Sequence, residues 1–147
     1  LDNDYESKRI AEQLKTNNFS PAQTIFFERE GELLQSIEDY IVIEDYLYAV
    51  NQTYEIKLRK EGYTNITKEQ LLSQGEKGIV ENLNTLWTKH DDYWGKFEKE
   101  EVCRYICRKI ALQETSFLTE KTRNQLRALY RLIAERIRQY QNLTPND

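Results

Sequence analysis

Residues 119–141 read TEKTRNQLRALYRLIAERIRQYQ, and the spacing of apolar side chains in this stretch is the clearest indication of the fold class. Apolar residues recur three and four positions apart, which places them on one side of an α-helix. They are Leu126, Leu129, Tyr130, Ile133, Ile137 and Tyr140. Thr119 precedes the pattern, where a hydroxyl accepts a hydrogen bond from a free backbone N–H group of the first turn. The stretch predicts an amphipathic C-terminal helix over 119–141.

A longer helical pattern lies upstream, from Ser20 onward. Ser20 and Pro21 form a typical helix start, because serine caps the first turn and proline is tolerated at the first helical position. Inner positions follow steps of four and three, the spacing of a coiled-coil seam: Leu33, Ile37, Tyr40, Glu44, Leu47, Asn51, Tyr54 and Leu58. We expect one long helix over 21–61, packed against the C-terminal helix, with Gly31 or residues 51–53 as the places for a kink.

Three further helices complete the predicted bundle. A short helix is expected near the start of the chain, and Thr67 with Gln70 has the form of a capping box that opens the third helix. The fourth extends over 93–113. A chain of 147 residues with 39% hydrophobic content fits one domain with a working core. We therefore predict a single all-α domain over residues 1–147, a bundle of four to five helices.

Charge is sorted along the chain. Residues 1–101 contain 21 acidic and 12 basic side chains, whereas residues 102–140 contain 3 acidic and 9 basic ones. The net charge of the whole chain is −4. Such a separation requires that the two parts face each other or that each faces a partner, and both alternatives concern binding rather than catalysis.

The basic side chains of the C-terminal third are the first candidate site. The set is Arg104, Arg108, Lys109, Lys121, Arg123, Arg127, Arg131 and Arg138. The interpretation we favour is structural: acidic residues between Glu28 and Asp45 neutralise these side chains when the bundle closes. The alternatives are a phosphate-binding face for RNA or single-stranded DNA, and a face for an acidic protein or a second copy of the chain. The net charge of −4 disfavours nucleic acid.

Three residues of the long helix are further candidates. Tyr46 falls on its acidic outer side, where an exposed tyrosine is typical of a protein interface. Glu44 and Asn51 fall within the apolar seam, which predicts a buried structural polar pair with Arg123 or Arg127 as the partner of the carboxylate. The alternative is a carboxylate-lined pocket. A diiron centre of the ferritin type needs Glu-x-x-His motifs on two helices, and the single histidine of the chain excludes it.

The remaining chemistry-bearing residues predict no cofactor and no metal site. Cys103 and Cys107 lie one helical turn apart, but tetrahedral zinc needs two more ligands of this kind, so we interpret them as small buried side chains. His90 is interpreted as a surface or boundary residue, and Trp87 and Trp94 are expected in the core or at its boundary. No apolar run approaches the roughly 20 residues that span a bilayer, so we expect a soluble, cytoplasmic protein without membrane contact.

These observations favour a function in binding. We expect a non-catalytic module for protein–protein interaction, assembly or regulation, oligomeric through the wide apolar stripe of the long helix. The main alternative is a small helical subunit that binds the backbone of RNA or single-stranded DNA through the arginine edge of the C-terminal helix. An enzyme with carboxylate chemistry around Glu44 is the third hypothesis, and it requires an open pocket at that residue.

Overall fold

The computed structural model of the protein describes residues 5–16, 28–29, 32–33, 36–60, 62–75, 78–90 and 94–143. Within these residues the chain forms seven α-helices: α1 (Tyr5–Thr16), α2 (Ile43–Thr53), α3 (Glu55–Lys60), α4 (Lys68–Leu72), α5 (Ile79–Thr88), α6 (Lys99–Ala111) and α7 (Glu120–Leu143). A 3₁₀ helix covers Ile37–Tyr40, and two short strands, β1 (Glu28–Arg29) and β2 (Glu32–Leu33), pair in antiparallel fashion with Glu28 opposite Leu33. The predominance of helix confirms the all-α class and is consistent with a helical bundle.

The chain divides into two compact units. One consists of Ile41–Thr122, and the other combines Leu1–Tyr40 with Arg123–Asp147. Each unit has its own cluster of buried apolar side chains, a large one in the first and a small one around Tyr40 and Leu129 in the second. The single domain expected for the whole chain stays a prediction.

The single long helix predicted over 21–61 is wrong for the residues that the structure describes. The strands β1 and β2 and the 3₁₀ helix occupy part of this segment, and regular α-helix begins only with α2. The Asp39 carboxylate accepts a hydrogen bond from the Ser36 N–H, and the Val42 N–H donates to the Thr122 hydroxyl, each at 3.0 Å. Polar side chains therefore supply partners for backbone groups that a continuous helix would otherwise pair internally.

A second interruption separates α2 from α3 at Tyr54, next to the predicted kink at 51–53. The hydroxyl of Thr53 bonds back to a carbonyl one turn earlier at 2.7 Å, an interaction that bends helices. The Tyr54 hydroxyl donates to the Glu98 carbonyl at 3.1 Å and accepts the Glu98 N–H at 3.0 Å. Tyr54 is thereby tied to the start of α6, and this tertiary contact accompanies the end of α2.

The predicted third helix is also divided, into α4 and α5. Its start is confirmed, because the Thr67 hydroxyl accepts the Gln70 N–H while the Gln70 side chain accepts the Thr67 N–H, which makes a capping box. Beyond α4, Gly75 adopts a φ of +141°, which residues with a side chain rarely adopt. Two of the five predicted helices are each divided into two, so the described residues contain seven α-helices where the sequence predicts five. The predicted helix start at Pro21 and kink at Gly31 lie outside the described residues.

The last two helices agree with their predictions. α6 lies within the predicted range 93–113, and it ends before Gln113, whose left-handed φ of 59° stops the helix. α7 matches the predicted range 119–141 to within two residues at each end. Its cap is confirmed, because the Thr119 hydroxyl accepts the Thr122 N–H at 3.3 Å.

Aromatic side chains form the centre of the Ile41–Thr122 unit. Trp87 lies against Tyr54, Trp94 and Phe97, with ring centroids 4.9, 4.7 and 5.0 Å apart. All four are buried, and tilted ring contacts of this kind add to the gain from burying apolar surface. His90 stacks on Trp94 with 4.2 Å between centroids and is itself half-buried, which confirms it as a boundary residue.

Candidate interaction surfaces

The start of α7 is held by hydrogen bonds to residues at the start of α2. One oxygen of the buried Asp45 carboxylate accepts hydrogen bonds from the N–H and the hydroxyl of Thr119, at 2.7 and 2.9 Å. Thr122 is fully buried, and its hydroxyl accepts the Val42 N–H at 3.0 Å. These bonds fix the position and the rotation of the first turn of α7.

The apolar stripe of α7 is only partly covered. Leu129 is buried against Tyr40, with two further apolar side chains of α7 packed beside them. Tyr130 and Ile137 belong to the same stripe, but they are 73% and 53% exposed. Large apolar side chains that share an exposed helix face are typical of an interaction surface.

Arginines line one edge of this exposed stripe. Arg123 is half-buried, whereas Arg127, Arg131 and Arg138 are exposed. The Arg127 guanidinium donates to the Asn124 side chain at 3.1 Å. Arg131 and Arg138 form no ion pair with any residue that the structure describes. The α7 face is defined as Arg127, Tyr130, Arg131, Ile137 and Arg138.

The acidic residues at the start of α2 have other partners. Glu44 pairs with Lys68 at 2.6 Å, and Asp45 bonds the start of α7 through Thr119. Internal neutralisation by the acidic segment is therefore not found for Arg131 and Arg138 within the described parts of the chain.

The basic candidates of α6 lie in different surroundings from one another. Lys109 forms an ion pair with Glu114 at 2.5 Å, and this hydrogen bond raises the pKa of the ammonium group. Arg104 and Arg108 instead line a groove between α2 and α6. The structure brings one pair of predicted arginines together on α6 and a second group together on α7.

Tyr46 is the clearest correction among the candidate residues. The sequence places it on an exposed outer side, but its exposed fraction is 0%. α2 contacts α3, α4 and α6, so most of its circumference is covered. Its exposed stripe is Glu44, Tyr48 and Gln52, each one turn apart. Tyr46 therefore belongs to the core and to no interaction surface.

The expected buried pair of Glu44 and Asn51 is wrong for one member. The Glu44 side chain is 57% exposed. Asn51 is buried as predicted, and its amide pairs with the backbone of Ile66: Nδ2 donates to the carbonyl at 3.0 Å and Oδ1 accepts the N–H at 2.8 Å. Asn51 thus has a structural role, with a loop backbone as its partner.

Glu44 has a lysine partner rather than Arg123 or Arg127. The hydrogen bond from Lys68 lowers the pKa of the Glu44 carboxyl, and the charge of Lys121 acts in the same direction. A carboxylate kept ionised on the surface lacks the environment that raises a pKa for general acid catalysis. Glu44 also lies outside two grooves of the Ile41–Thr122 unit, one beside Trp87 and one between α2 and α6. The carboxylate-enzyme hypothesis therefore gains no support from either groove.

We expect Glu44→Gln to change the free energy of unfolding by less than about 1 kcal/mol at neutral pH, because both partners of the Glu44–Lys68 pair are exposed. Because the pKa of Glu44 is lowered, the ion pair with Lys68 stabilises the folded protein above the ordinary pKa of glutamate. This stabilisation is lost as the pH falls through the lowered pKa. Urea unfolding of both proteins at about pH 7 and about pH 3 measures the difference. A larger effect of the substitution in acid would contradict the expectation.

The two cysteines are more exposed than the sequence predicts. Cys103 is half-buried and Cys107 is exposed, so the interpretation of both as buried side chains is wrong. Among the residues that the structure describes, no three His, Cys, Asp or Glu side chains converge as possible metal ligands. In the same residues, no helix is both long and apolar enough to cross a membrane.

The two grooves of the Ile41–Thr122 unit are not evident from the sequence. One of about 290 Å³ is lined by Asn84, Trp87, Thr88, Gly95, Lys96 and Phe97. The other, of about 480 Å³, lies between α2 and α6 and contains Arg104 and Arg108. The spacing of these two arginines indicates that they share a helix face, but the opposite wall comes from a distant segment.

No protein family, curated protein or solved structure matches this chain. The features of the protein that bear on function are the α7 face and the grooves of the Ile41–Thr122 unit. Of these, the α7 face combines two of the features that the sequence singles out, an apolar stripe and its arginine edge.

Proposed function

We propose that the protein is a non-catalytic protein-binding module that engages its partner through the α7 face. The observation that carries this proposal is the exposure of Tyr130 and Ile137 beside Arg131 and Arg138, two arginines without an ion pair among the described residues. Tyrosine and arginine are enriched at protein interfaces, because they combine contact area with polar groups. Removing the two apolar side chains from water favours association.

The charge of α7 defines the chemistry of the partner. From residue 123 to residue 143 the helix carries five arginines and one glutamate. A second copy laid with its own α7 face on this one would bring arginines close to arginines, which is unfavourable. The complementary partner is an acidic protein segment whose apolar stripe is flanked by Asp or Glu, and an amphipathic helix has this pattern.

Nucleic acid matches the α7 face less well. Phosphates would pair with Arg131 and Arg138, but they would leave Ile137 in water. The net charge of −4 also repels a polyanion outside the face. Preferential binding of RNA or single-stranded DNA is therefore an outcome that contradicts the proposal.

The test uses a fluorescent synthetic helix of about 20 residues with leucine at heptad positions a and d and glutamate at e and g. We expect this peptide to bind, and Arg131→Glu/Arg138→Glu to weaken binding by at least about tenfold, because two attractive charges become repulsive. Fluorescence anisotropy measures both dissociation constants. Arg136→Glu is a control with half of this charge change: Arg136 lies on α7 outside the face and bonds Gln139, so this variant should retain binding.

A second pair of variants tests the apolar part of the face. Tyr130→Ser/Ile137→Ser should weaken binding, whereas Ile56→Ser, at an exposed position of α3, should not. A second peptide has the same composition, but its leucines are scattered around the helix instead of forming a stripe. It should bind more weakly if the apolar side chains contribute to binding, and equally well if only attraction between charges matters. Equal binding of that peptide, preferential binding of labelled single-stranded RNA, or self-association of the protein detected by light scattering would overturn the proposal.

A further inference from the structure

The groove between α2 and α6 has the chemistry of an anion site. It is an open groove with a volume of about 480 Å³, and it is lined by Gln52, Thr53, Glu101, Arg104, Tyr105 and Arg108. This volume lies within the range of small-molecule sites in proteins. The groove belongs entirely to the Ile41–Thr122 unit, so binding of a ligand there does not depend on the α7 face.

Two arginines of α6 supply the positive charge of the groove. Arg104 and Arg108 are four residues apart, so their side chains lie on the same side of the helix. Arg108 has no ion pair with the described residues, and its guanidinium lies 6.0 Å from the ring centroid of Tyr105. Arg104 pairs with Glu101 at 2.5 Å, but both side chains are exposed. Water and salt screen such a pair, so a doubly charged anion can compete for Arg104.

Tyr105 forms part of the wall of the groove next to Arg108. Its ring packs edge-to-face against Phe117 at 6.2 Å, and Phe117 in turn stacks on Tyr48 at 5.3 Å. A tyrosine hydroxyl is protonated at neutral pH, and burial raises the pKa of Tyr105 further, so this side chain brings no negative charge to the groove. Among the described residues that line the groove, Glu101 alone has a carboxylate.

We propose that this groove binds a phosphate monoester carried by a small hydroxyl-bearing molecule, such as a nucleoside monophosphate or a sugar phosphate. Guanidinium groups bind phosphate oxygens in bidentate fashion, and two of them match the charge of a monoester dianion. The Gln52 and Thr53 side chains on the opposite wall provide oxygens that accept hydrogen bonds from ligand hydroxyl groups. The negative charge of the Glu101 carboxylate opposes binding of the phosphate.

The test is a titration of the ¹⁵N-labelled protein with uridine monophosphate, glucose 6-phosphate, inorganic phosphate and uridine. We expect saturable shifts of the backbone amides at 52–53 and 101–108 with both esters, at dissociation constants of about 1 mM or below. Uridine should cause none. Comparison of the two esters distinguishes a nucleotide from a sugar phosphate as the source of the phosphate group.

Variants of the groove locate the site. Arg108→Gln and Arg104→Gln should each weaken ester binding by about tenfold, because a charged hydrogen bond is lost. Arg59→Gln is the matched control, since Arg59 pairs with Glu55 at 2.5 Å on α3, outside the groove. Glu101→Gln should tighten ester binding about threefold, because it removes the opposing carboxylate. Glu100→Gln makes the same charge change outside the lining, so it should affect the dissociation constant less.

Three results would overturn this assignment. The first is a lack of saturable binding by either ester, and the second is an unchanged affinity in Arg108→Gln. The third is equal affinity for inorganic phosphate and for the esters, since the hydroxyl acceptors of the groove would then contribute nothing. Both arginines are exposed, so their substitution is expected to leave the fold intact, and far-ultraviolet circular dichroism of each variant verifies this.

Discussion

Trp87→Ala is expected to lower the free energy of unfolding by about 3–5 kcal/mol, the largest effect expected of any single substitution proposed for this protein. Trp87 is 2% exposed and contacts Tyr54, Trp94 and Phe97 at centroid distances between 4.7 and 5.0 Å. Removing the indole deletes three ring contacts at once and leaves a cavity. Neighbouring rings held by their own contacts can fill that cavity only in part.

Urea unfolding followed by circular dichroism and by the fluorescence of Trp94 measures this loss. Trp94 is then the only remaining tryptophan, and it lies in the same cluster, so its emission reports directly on the core. Ile56→Ala is the control, because Ile56 is 74% exposed and contributes little buried surface. A loss below about 1 kcal/mol for Trp87→Ala would contradict the stabilising role given to these ring contacts.

Asn51→Ala is expected to cost about 2–4 kcal/mol of unfolding free energy. The side-chain amide of Asn51 satisfies both the N–H and the carbonyl of Ile66, which is buried. Truncation to alanine leaves two backbone groups without a partner in a site with little access to water. The loop before α4 thereby loses its side-chain hydrogen bonds to α2.

Asn51→Asp distinguishes hydrogen bonding from loss of volume. The aspartate side chain is nearly the same size as asparagine and can still accept the hydrogen bond from the Ile66 N–H. It has no N–H group to donate to the Ile66 carbonyl, and faces that carbonyl with an oxygen instead. We expect it to be destabilising as well, whereas Gln52→Ala at the neighbouring exposed position should change stability by less than about 0.5 kcal/mol. Thermal unfolding of the three variants gives the comparison. Full stability of Asn51→Asp would refute the role assigned to the amide.

Local patterns account for what the sequence predicts correctly. The hydroxyl of Thr119 and the Thr67–Gln70 pair cap their helices as expected, because a cap involves residues only three positions apart. The limits of α7 follow from its own apolar periodicity. The arginines at 104 and 108 share one groove because four residues correspond to about one helical turn.

The errors arise where several neighbours surround one helix. The seam spacing places Glu44 inside and Tyr46 outside, but α2 contacts α3, α4 and α6. A helix that is covered on most sides has a narrow exposed stripe instead of a narrow buried one. The spacing of apolar residues alone does not show where around the helix that exposed stripe lies. Here that stripe passes through Glu44, Tyr48 and Gln52.

The sequence by itself determined the helical class, the caps and the arginine edge of α7, because helix periodicity and capping depend on residues within a few positions of one another. Only the tertiary structure decided that α2 ends at Tyr54, that Asn51 pairs with a loop, and that Tyr130 stays exposed. These outcomes depend on which distant backbone groups and apolar surfaces come together and exclude water. A single helix pattern holds no information about them.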